Sequence, residues 1–489
     1  MRKHQQAKIL EMLQTLSEAH ETLRKQLAPD EVTNLLADCQ DFALQIGEYI
    51  EGIEGEGSQT VSLLEEYCDV LYKVNSGEAG EKQLRRHFIK IENSVRSELK
   101  PSKIEMVFLS YKASMSDSIE SIYLAAKADP NCDAYWIPIP YYNRNSDGSF
   151  GAMNYEGPES YGDNIECTNW HEYEIEVRQP DVIFTFNPYD SENYVTNVHP
   201  DYYCERLREL TDLLVYVPYY VSPKIAFTVE YLITTPGCKF AHNVIVQSNL
   251  ILERYISVFK DAYGNSFGKP EEKFIALGSP KFDKVINIKR EDCPLPEGWG
   301  KLVSGRSVVF YNTSVTAMLK WNEEYLVKLR NVLSTFQERT DIALWWRPHP
   351  LGQQTFSSMR PKLLEEYIGI VEQYKLENWG IYDETPDLNR AIAWSDAYYG
   401  DWSSVIALFG AADKPILKQS LEMVARSAIV SQTYYVVERE ADDLVRWIDN
   451  NYSIKFEPTK PFREHTNYNF TDGQSGSMIY SFCKNHVLP

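Results

Sequence analysis

KIEMVFLSYKASMSDSIESIYLAAKADPNCDAYWIPIPYY, residues 103–142, decides the fold class. KIEMVFLSY is a short, almost wholly apolar run, as expected of a strand covered on both faces. SDSIESIYLAAKAD repeats its apolar residues at helical spacing, and AYWIPIPYY returns to a strand. Strand, helix, strand is the signature of a βαβ unit and a parallel sheet.

Downstream the alternation continues. PDVIFTF, LLVYVPYY, NVIVQS and KFIALGSP read as strands, and YYCERLRELTD, a stretch near 223–234 and residues 249–261 as helices. The Pro-, Gly- and charge-rich NIKREDCPLPEGWGKLVSGR reads as a linker. The pattern then restarts: SVVFYNTS, IALWWRPHP, WGIYD, AYYGD and KPILK as strands, separated by helices. Upstream, Ile9, Leu13, Leu16, Leu36, Ile46, Leu64, Leu71, Leu84 and Ile91 belong to four amphipathic segments with helical period. The expected organisation is a helical hairpin or bundle over 1–100, a first Rossmann-like domain over 101–290, and a second over 301–489 with C-terminal helices. Ligands of such domains sit at the carboxyl edges of the strands.

Bulk properties narrow the function. Lys and Arg total 49 against 70 Asp and Glu, a net charge of −21 in 489 residues. No broad basic face for nucleic acid is expected. The eight cysteines are scattered with no CxxC pair, as in a reduced, cytoplasmic protein without a zinc site. No apolar run approaches the length of a membrane span, so any membrane contact would be peripheral, on the inner face. The four helices offer a surface for packing or homo-oligomerisation.

Three stretches carry candidate chemistry. In ALWWRPHPLGQQ, residues 343–354, Arg347 and His349 follow a strand, and prolines restrict the backbone on both sides of the histidine. This is either a strand-end histidine satisfied by a neighbour or one aimed at a ligand. In YGDWSS a strand ends at Gly400-Asp401 and a helix begins at Ser403-Ser404, where hydroxyls and free N–H groups can cap the helix or hold an anion. In LGSPKFDKV, Gly278 permits a turn and Lys281 has the reach to contact a phosphate, or the segment is an exposed interdomain turn. GxGxxG and GxxxxGK[ST] motifs are absent.

Taken together, these stretches resemble the CDP-glycerol glycerophosphotransferase family of teichoic acid polymerases. The family's His-Pro motif is matched by His349-Pro350, and its Asp-aromatic-Ser-Ser motif by Asp401-Trp402-Ser403-Ser404, followed by Asp413-Lys414-Pro415. Its Gly-x-Pro-(Arg/Lys)-x-Asp turn is matched by Gly278-Ser279-Pro280-Lys281-Phe282-Asp283. The match is specific over about 210–430, extends loosely back to about 101, and leaves 1–100 outside. The resemblance implies a GT-B fold, with two Rossmann-like domains facing a cleft. It places His349 on the donor pyrophosphate, where it would stabilise the departing CMP, and Ser403 and Ser404 on the donor phosphates. Arg347, Asp401, Lys281 and Gly278 join the donor side by position.

One departure stands out. Where the family has His-Gly-x-x-x-Lys, with the histidine as general base, LLVYVPYYVSPKIA has Pro218-Tyr219-Tyr220, and Lys224 takes the place of the lysine. A base near neutral pKa suits an acceptor hydroxyl better than a phenol near ~10. Asp117, His199 and His242 are the other candidates.

The leading expectation is transfer of a phosphoalcohol from CDP-glycerol or another CDP-alcohol to a hydroxyl of a cell-envelope glycan or its lipid-linked precursor. No cofactor and no obligatory metal are expected. The rivals are a GT-B glycosyltransferase using a nucleotide sugar and a non-catalytic envelope-assembly scaffold.

Overall fold

The helical period of the first hundred residues builds four helices: α1 (Lys3–Leu23), α2 (Pro29–Glu54), α3 (Gln59–Asn75) and α4 (Glu81–Glu98). They come from a computed structural model that describes residues 1–25, 28–145, 147–193, 196–221, 227–350, 352–385, 387–401, 403–420, 434–437, 449 and 472–488. Ile9, Leu13, Leu36, Ile46, Leu64, Leu84 and Ile91 close one core, with α1 against α2 and α4, and α3 against α2 and α4. The bundle is tied to the next domain by Arg2, whose Nη1 lies 2.8 Å from the buried Glu105 carboxylate.

Inside the bundle, the His20 Nε2 is 2.5 Å from the Tyr67 hydroxyl. Burial, helped by Arg24, pushes the His20 pKa from 6.5 down to about 4. Above pH 6.5 neither the folded nor the unfolded state holds that proton. As pH falls through 6.5 toward 4, the unfolded chain takes it up first and stability declines, by at most about 3 kcal/mol. Stability measured across this window should show a slope smaller by this one proton in His20→Gln. Equal slopes in the two proteins would rule His20 out as the source.

The run at 104–110 is buried at every residue, as a central parallel strand must be. It is β1 (Ile104–Ser110) of a sheet with β2 (Cys132–Pro138), β5 (Val182–Thr185), β7 (Leu213–Tyr216), β8 (Asn243–Val246) and β9 (Phe274–Ala276). The order is β2-β1-β5-β7-β8-β9, parallel throughout. AYWIPIPYY is not one strand. It breaks after Pro138, and its end becomes β3 (Tyr141–Arg144), in a separate antiparallel sheet with β4 (Phe150–Asn154) and β6 (Thr196–Val198). Pro138 and Pro140 lack the N–H groups a continuous ladder needs. The helix expected at YYCERLRELTD is one α-turn, Cys204–Leu207, running into a 3-10 turn. The described part of 223–234 is 3-10 helix over Phe227–Thr234.

The second sheet holds β10 (Ser307–Thr313), β11 (Ile342–Pro348), β12 (Ile381–Tyr382), β13 (Ala397–Gly400), β14 (Ile416–Ser420) and β15 (Tyr434–Val437). Its order is β12-β11-β10-β13-β14-β15, again all parallel. Counted within the domain this is 3-2-1-4-5-6, the order of the doubly wound nucleotide-binding sheet. The chain is thus α/β and GT-B-like, with two Rossmann-like domains after a helical N-terminal region.

The helix Pro280–Asn287 joins the domains. Phe282 and Val285 enter the second domain's core beside Phe310 and Trp345. Asp283, on the same helix, accepts hydrogen bonds from Ser121 Oγ at 2.8 Å, Ser475 N at 3.0 Å and Gly476 N at 2.6 Å. Asp283 thereby caps the last helix, Ser475–Val487, and holds it on the first domain. Ile479, Tyr480, Cys483 and Val487 complete that domain's core. Assigning the whole of 301–489 to the second domain is therefore corrected: the final helix returns to the first. A Cβ on Gly476 would lie 2.3 Å from Ser121 Oγ, so only glycine allows this approach. All eight cysteines are free thiols, and among the described residues no helix is long and apolar enough to cross a membrane.

Candidate functional site

In a doubly wound sheet a crevice opens where the strand order reverses, at the carboxyl ends of the two strands that leave in opposite directions. In the second sheet those strands are β10 and β13. They run so close that a Cβ on Gly400 would sit 2.2 Å from the Asn312 carbonyl oxygen, which only glycine at φ 141° avoids. Beyond this contact Asp401 turns back under the edge. One of its oxygens takes the Lys328 ammonium and the other accepts Ser314 N–H at 2.7 Å. Both Asp401 and Lys328 are buried. Asp401 is therefore a brace between β13 and β10, with each carboxylate oxygen already engaged by the protein where a donor ligand was expected.

Asn312 Nδ2 donates to Ser403 Oγ at 3.1 Å, and Ser403 Oγ also accepts Val405 N–H at 3.2 Å. The helix that follows is Val405–Ala411 with Ser404 at its N-cap position, so Ser404 lies just before the first turn. Ser403 is half-buried and held, while Ser404 is exposed. Ser314 Oγ accepts Ala317 N–H at 3.2 Å and caps the helix after β10. The crevice thus has hydroxyls on both walls. Asp413-Lys414-Pro415 lies elsewhere: the Lys414 ammonium is 3.2 Å from the Ala393 and 2.5 Å from the Ser395 carbonyl oxygens, at the end of the helix Leu388–Trp394.

His349 extends from β11, the strand next to β10. Its N–H donates to the Thr313 carbonyl at 3.0 Å, so the backbone between the two prolines keeps the β10 register for one more residue. The side chain is exposed at its rim, yet the protein behind it removes enough water to hold the imidazole pKa below 6.5. Arg347 turns the other way. Its guanidinium donates to Asp383 at 2.7 Å and to the Thr385 carbonyl at 2.6 Å, beyond β12 on the far side of β11 from the crevice. Trp345 Nε1 shares the Asp383 carboxylate at 2.9 Å. A donor-binding role for Arg347 is corrected to one of tying β11 to the end of β12.

On the first domain, Asp117 and Lys281 were expected in separate roles as base and phosphate ligand. They form one largely buried ion pair, Nζ to Oδ1 2.5 Å, between the β1 connection and the joining helix. Gly278, at φ 83°, lies with Ser279, Tyr220, Tyr255 and Gln247 around a small notch of about 10 Å³, room for one water, at the carboxyl ends of β7, β8 and β9. Tyr219 and Tyr220 sit at this edge, and Lys224 lies outside the described residues. Burial raises the pKa of both phenols, so neither serves as a base near neutrality. His242 lies at the amino end of β8, where its Nδ1 accepts Leu214 N–H at 2.8 Å and burial lowers its pKa to about 4. His199 follows β6 in the antiparallel sheet, and its Nδ1 accepts Asp201 N–H at 3.3 Å. Glu156, not singled out by the sequence, reaches the β1 connection and accepts Ala113 N–H at 2.7 Å. Ser314, Asn312 and Lys328 were also missed; a signal for the first two was that FYNTS, like YGDWSS, ends a strand in polar residues, while nothing in the sequence pattern marked Lys328.

No family model matches the chain, and no curated protein matches it. Among solved structures it is similar to the wall teichoic acid polymerase TagF, with TM-score 0.48 and 13% identity, over 87% of this chain and 98% of that one. It is similar also to a UDP-N-acetylglucosamine 2-epimerase, with TM-score 0.46 and 10% identity over 79% of this chain and 96% of that one. A third is S. aureus MnaA with UDP, at TM-score 0.42 and 10% identity over 79% and 97%. The fold assignment above rests on the strand orders, not on these similarities.

Proposed function

We propose that the chain is a GT-B-type transferase that moves a phosphoalcohol, glycerol phosphate or a close relative, from a CDP-activated donor to a hydroxyl of a cell-envelope polymer or its lipid-linked precursor. CMP leaves. The observation that carries this reading is the second sheet's reversal point, where Ser314 follows β10, Ser403 and Ser404 follow β13, and His349 stands at the next strand end. Hydroxyls at such an edge suit a diphosphate. The attack on phosphorus is in line, with catalysis by positioning and by charge stabilisation at the leaving phosphate.

His349, neutral at pH 7, donates one N–H to the departing phosphate. The approach of a dianion raises its pKa and favours the charged imidazolium as negative charge builds on CMP. The acceptor hydroxyl gives up its proton to water as its oxygen bonds to phosphorus and the bond to CMP breaks.

A thermal-shift panel of CDP-glycerol, CDP-ribitol, CDP-choline, UDP-sugars and CMP tests the donor class. Cytidine nucleotides should raise the melting temperature at ligand concentrations near 100 times Kd, where binding adds about 2.7 kcal/mol. The Ser403→Ala/Ser404→Ala protein should lose most of that shift. No response to any cytidine nucleotide would remove the reading, and a full response in the double variant would move the site elsewhere.

A further inference from the structure

At the second sheet's reversal point a chain of hydrogen bonds runs from a backbone carbonyl to Ser403, and the chemistry of its first member sets the direction of all the others. A carbonyl oxygen only accepts, so the Tyr398 hydroxyl, which bonds to the Asp401 carbonyl, donates to it. Tyr398 is wholly buried, and burial raises its pKa far above neutrality, so the phenol keeps that proton. The Tyr398 oxygen is then an acceptor, and Asn312 Nδ2 donates to it at 3.2 Å. The opposite orientation of the amide would set its oxygen against a phenol whose proton is already spent. The second Nδ2 hydrogen goes to Ser403 Oγ at 3.1 Å, and Val405 N–H donates to the same Oγ at 3.2 Å. A hydroxyl has two lone pairs and one proton. Protein donors take both lone pairs of Ser403, and what it has left to offer is the proton.

We propose that Asn312 is a positioning residue for the donor diphosphate: by donating to Ser403 Oγ across the reversal point, it makes the Ser403 hydroxyl a committed proton donor to a phosphate oxygen. The inference rests on the transferase reading and deepens its donor site. Ligand class follows from the polarity of the chain. A phosphate oxygen only accepts, so it takes the Ser403 proton without competing for the filled lone pairs, whereas an ammonium would find no lone pair to bind. One protein acceptor beside Ser403 is the Tyr398 oxygen. That oxygen already takes the Asn312 N–H, and a charged phosphate oxygen is the stronger acceptor. Asn312 is 8% exposed and Ser403 half-buried, so Asn312 acts through the serine. The close approach of Gly400 to the Asn312 backbone holds the two strand ends at the separation this relay needs.

Isothermal titration of the full chain with inorganic pyrophosphate and with CDP-glycerol tests this in Asn312→Ala, Asn312→Leu, Ser403→Ala and Asn312→Leu/Ser403→Ala. Ser403→Ala should weaken both ligands by about tenfold, the scale of one hydrogen bond to a charged group. Each Asn312 single variant should weaken them by roughly threefold or more, and the double variant should bind within about twofold of Ser403→Ala, because the two residues act as one unit. Leucine keeps the shape of asparagine without its N–H groups. A residue that merely filled space would be replaced by leucine without loss, and Asn312→Leu decides the matter if Asn312→Ala does not fold. Parent-like binding in Asn312→Leu, or losses that add in the double variant, would overturn the proposal. Cytidine nucleotides bound equally by the parent and both Asn312 variants overturn this inference alone. The expected order with pyrophosphate, but no response to any cytidine nucleotide, removes the CDP-donor reading and leaves the role of Asn312. A parent that binds neither ligand removes both.

Discussion

Asp401→Ala is expected to destabilise the second domain by about 3–5 kcal/mol. The size follows from what is left behind. Lys328 is 3% exposed and Asp401 supplies its carboxylate, so truncation leaves a buried ammonium without a counter-ion. The Ser314 N–H loses its acceptor at the same time. Pairing in low dielectric roughly offsets desolvation for an intact pair, but a lone buried charge keeps the full penalty. A Lys328→Met/Asp401→Ala double variant should therefore recover much of the loss, because an apolar side chain of similar length fills the site without the charge. Chemical denaturation of Asp401→Ala, Lys328→Met and the double variant measures this. A single variant as stable as the parent, or a double variant worse than the sum of the singles, would show that Asp401 is not a brace and would reopen it as a ligand.

His349→Ala should behave in the opposite way. Its side chain is exposed, and its backbone bond to Thr313 does not depend on the imidazole, so stability should change little. Under the proposed function, turnover with a CDP-activated donor should fall by about 10²–10³-fold, the usual loss when one preorganised donor to developing charge is removed. The KM for the donor should move much less, because the interaction strengthens as charge forms on the leaving phosphate. His349→Gln, which keeps an N–H donor in reach, should restore part of kcat. A kcat within about twofold of the parent in His349→Ala would remove His349 from the reaction.

The contrast between Asp401 and His349 shows how far the site could be read along the chain. Both ended apolar runs beside other polar residues, and both looked aimed at a ligand. What decides the roles of Asp401 and Arg347 is partners distant in sequence: Lys328 for Asp401, and for Arg347 the Asp383 carboxylate beyond β12. Periodicity and motif spacing carry no information about those partners, because they are set by which strands become neighbours. The same holds for Asp117 and Lys281, 164 positions apart and joined in one ion pair.

The local pattern by itself determined that the chain begins with a helical bundle and continues with two runs of parallel α/β units. Burial of a strand on both faces demands an unbroken apolar run, and burial of one helical face demands a period near 3.6, so each leaves a direct trace in residue order. It also determined where β11 and β13 end, and so placed His349, Ser403 and Ser404 at edges. The tertiary structure alone decided the strand orders, and with them where each sheet reverses and a crevice opens. It decided that the final helix returns to the first domain under Asp283, and that five tyrosines from four separate segments meet in one row. Those facts depend on pairing between distant segments, where an amphipathic face or a phenol states that it needs a partner but not which partner it finds.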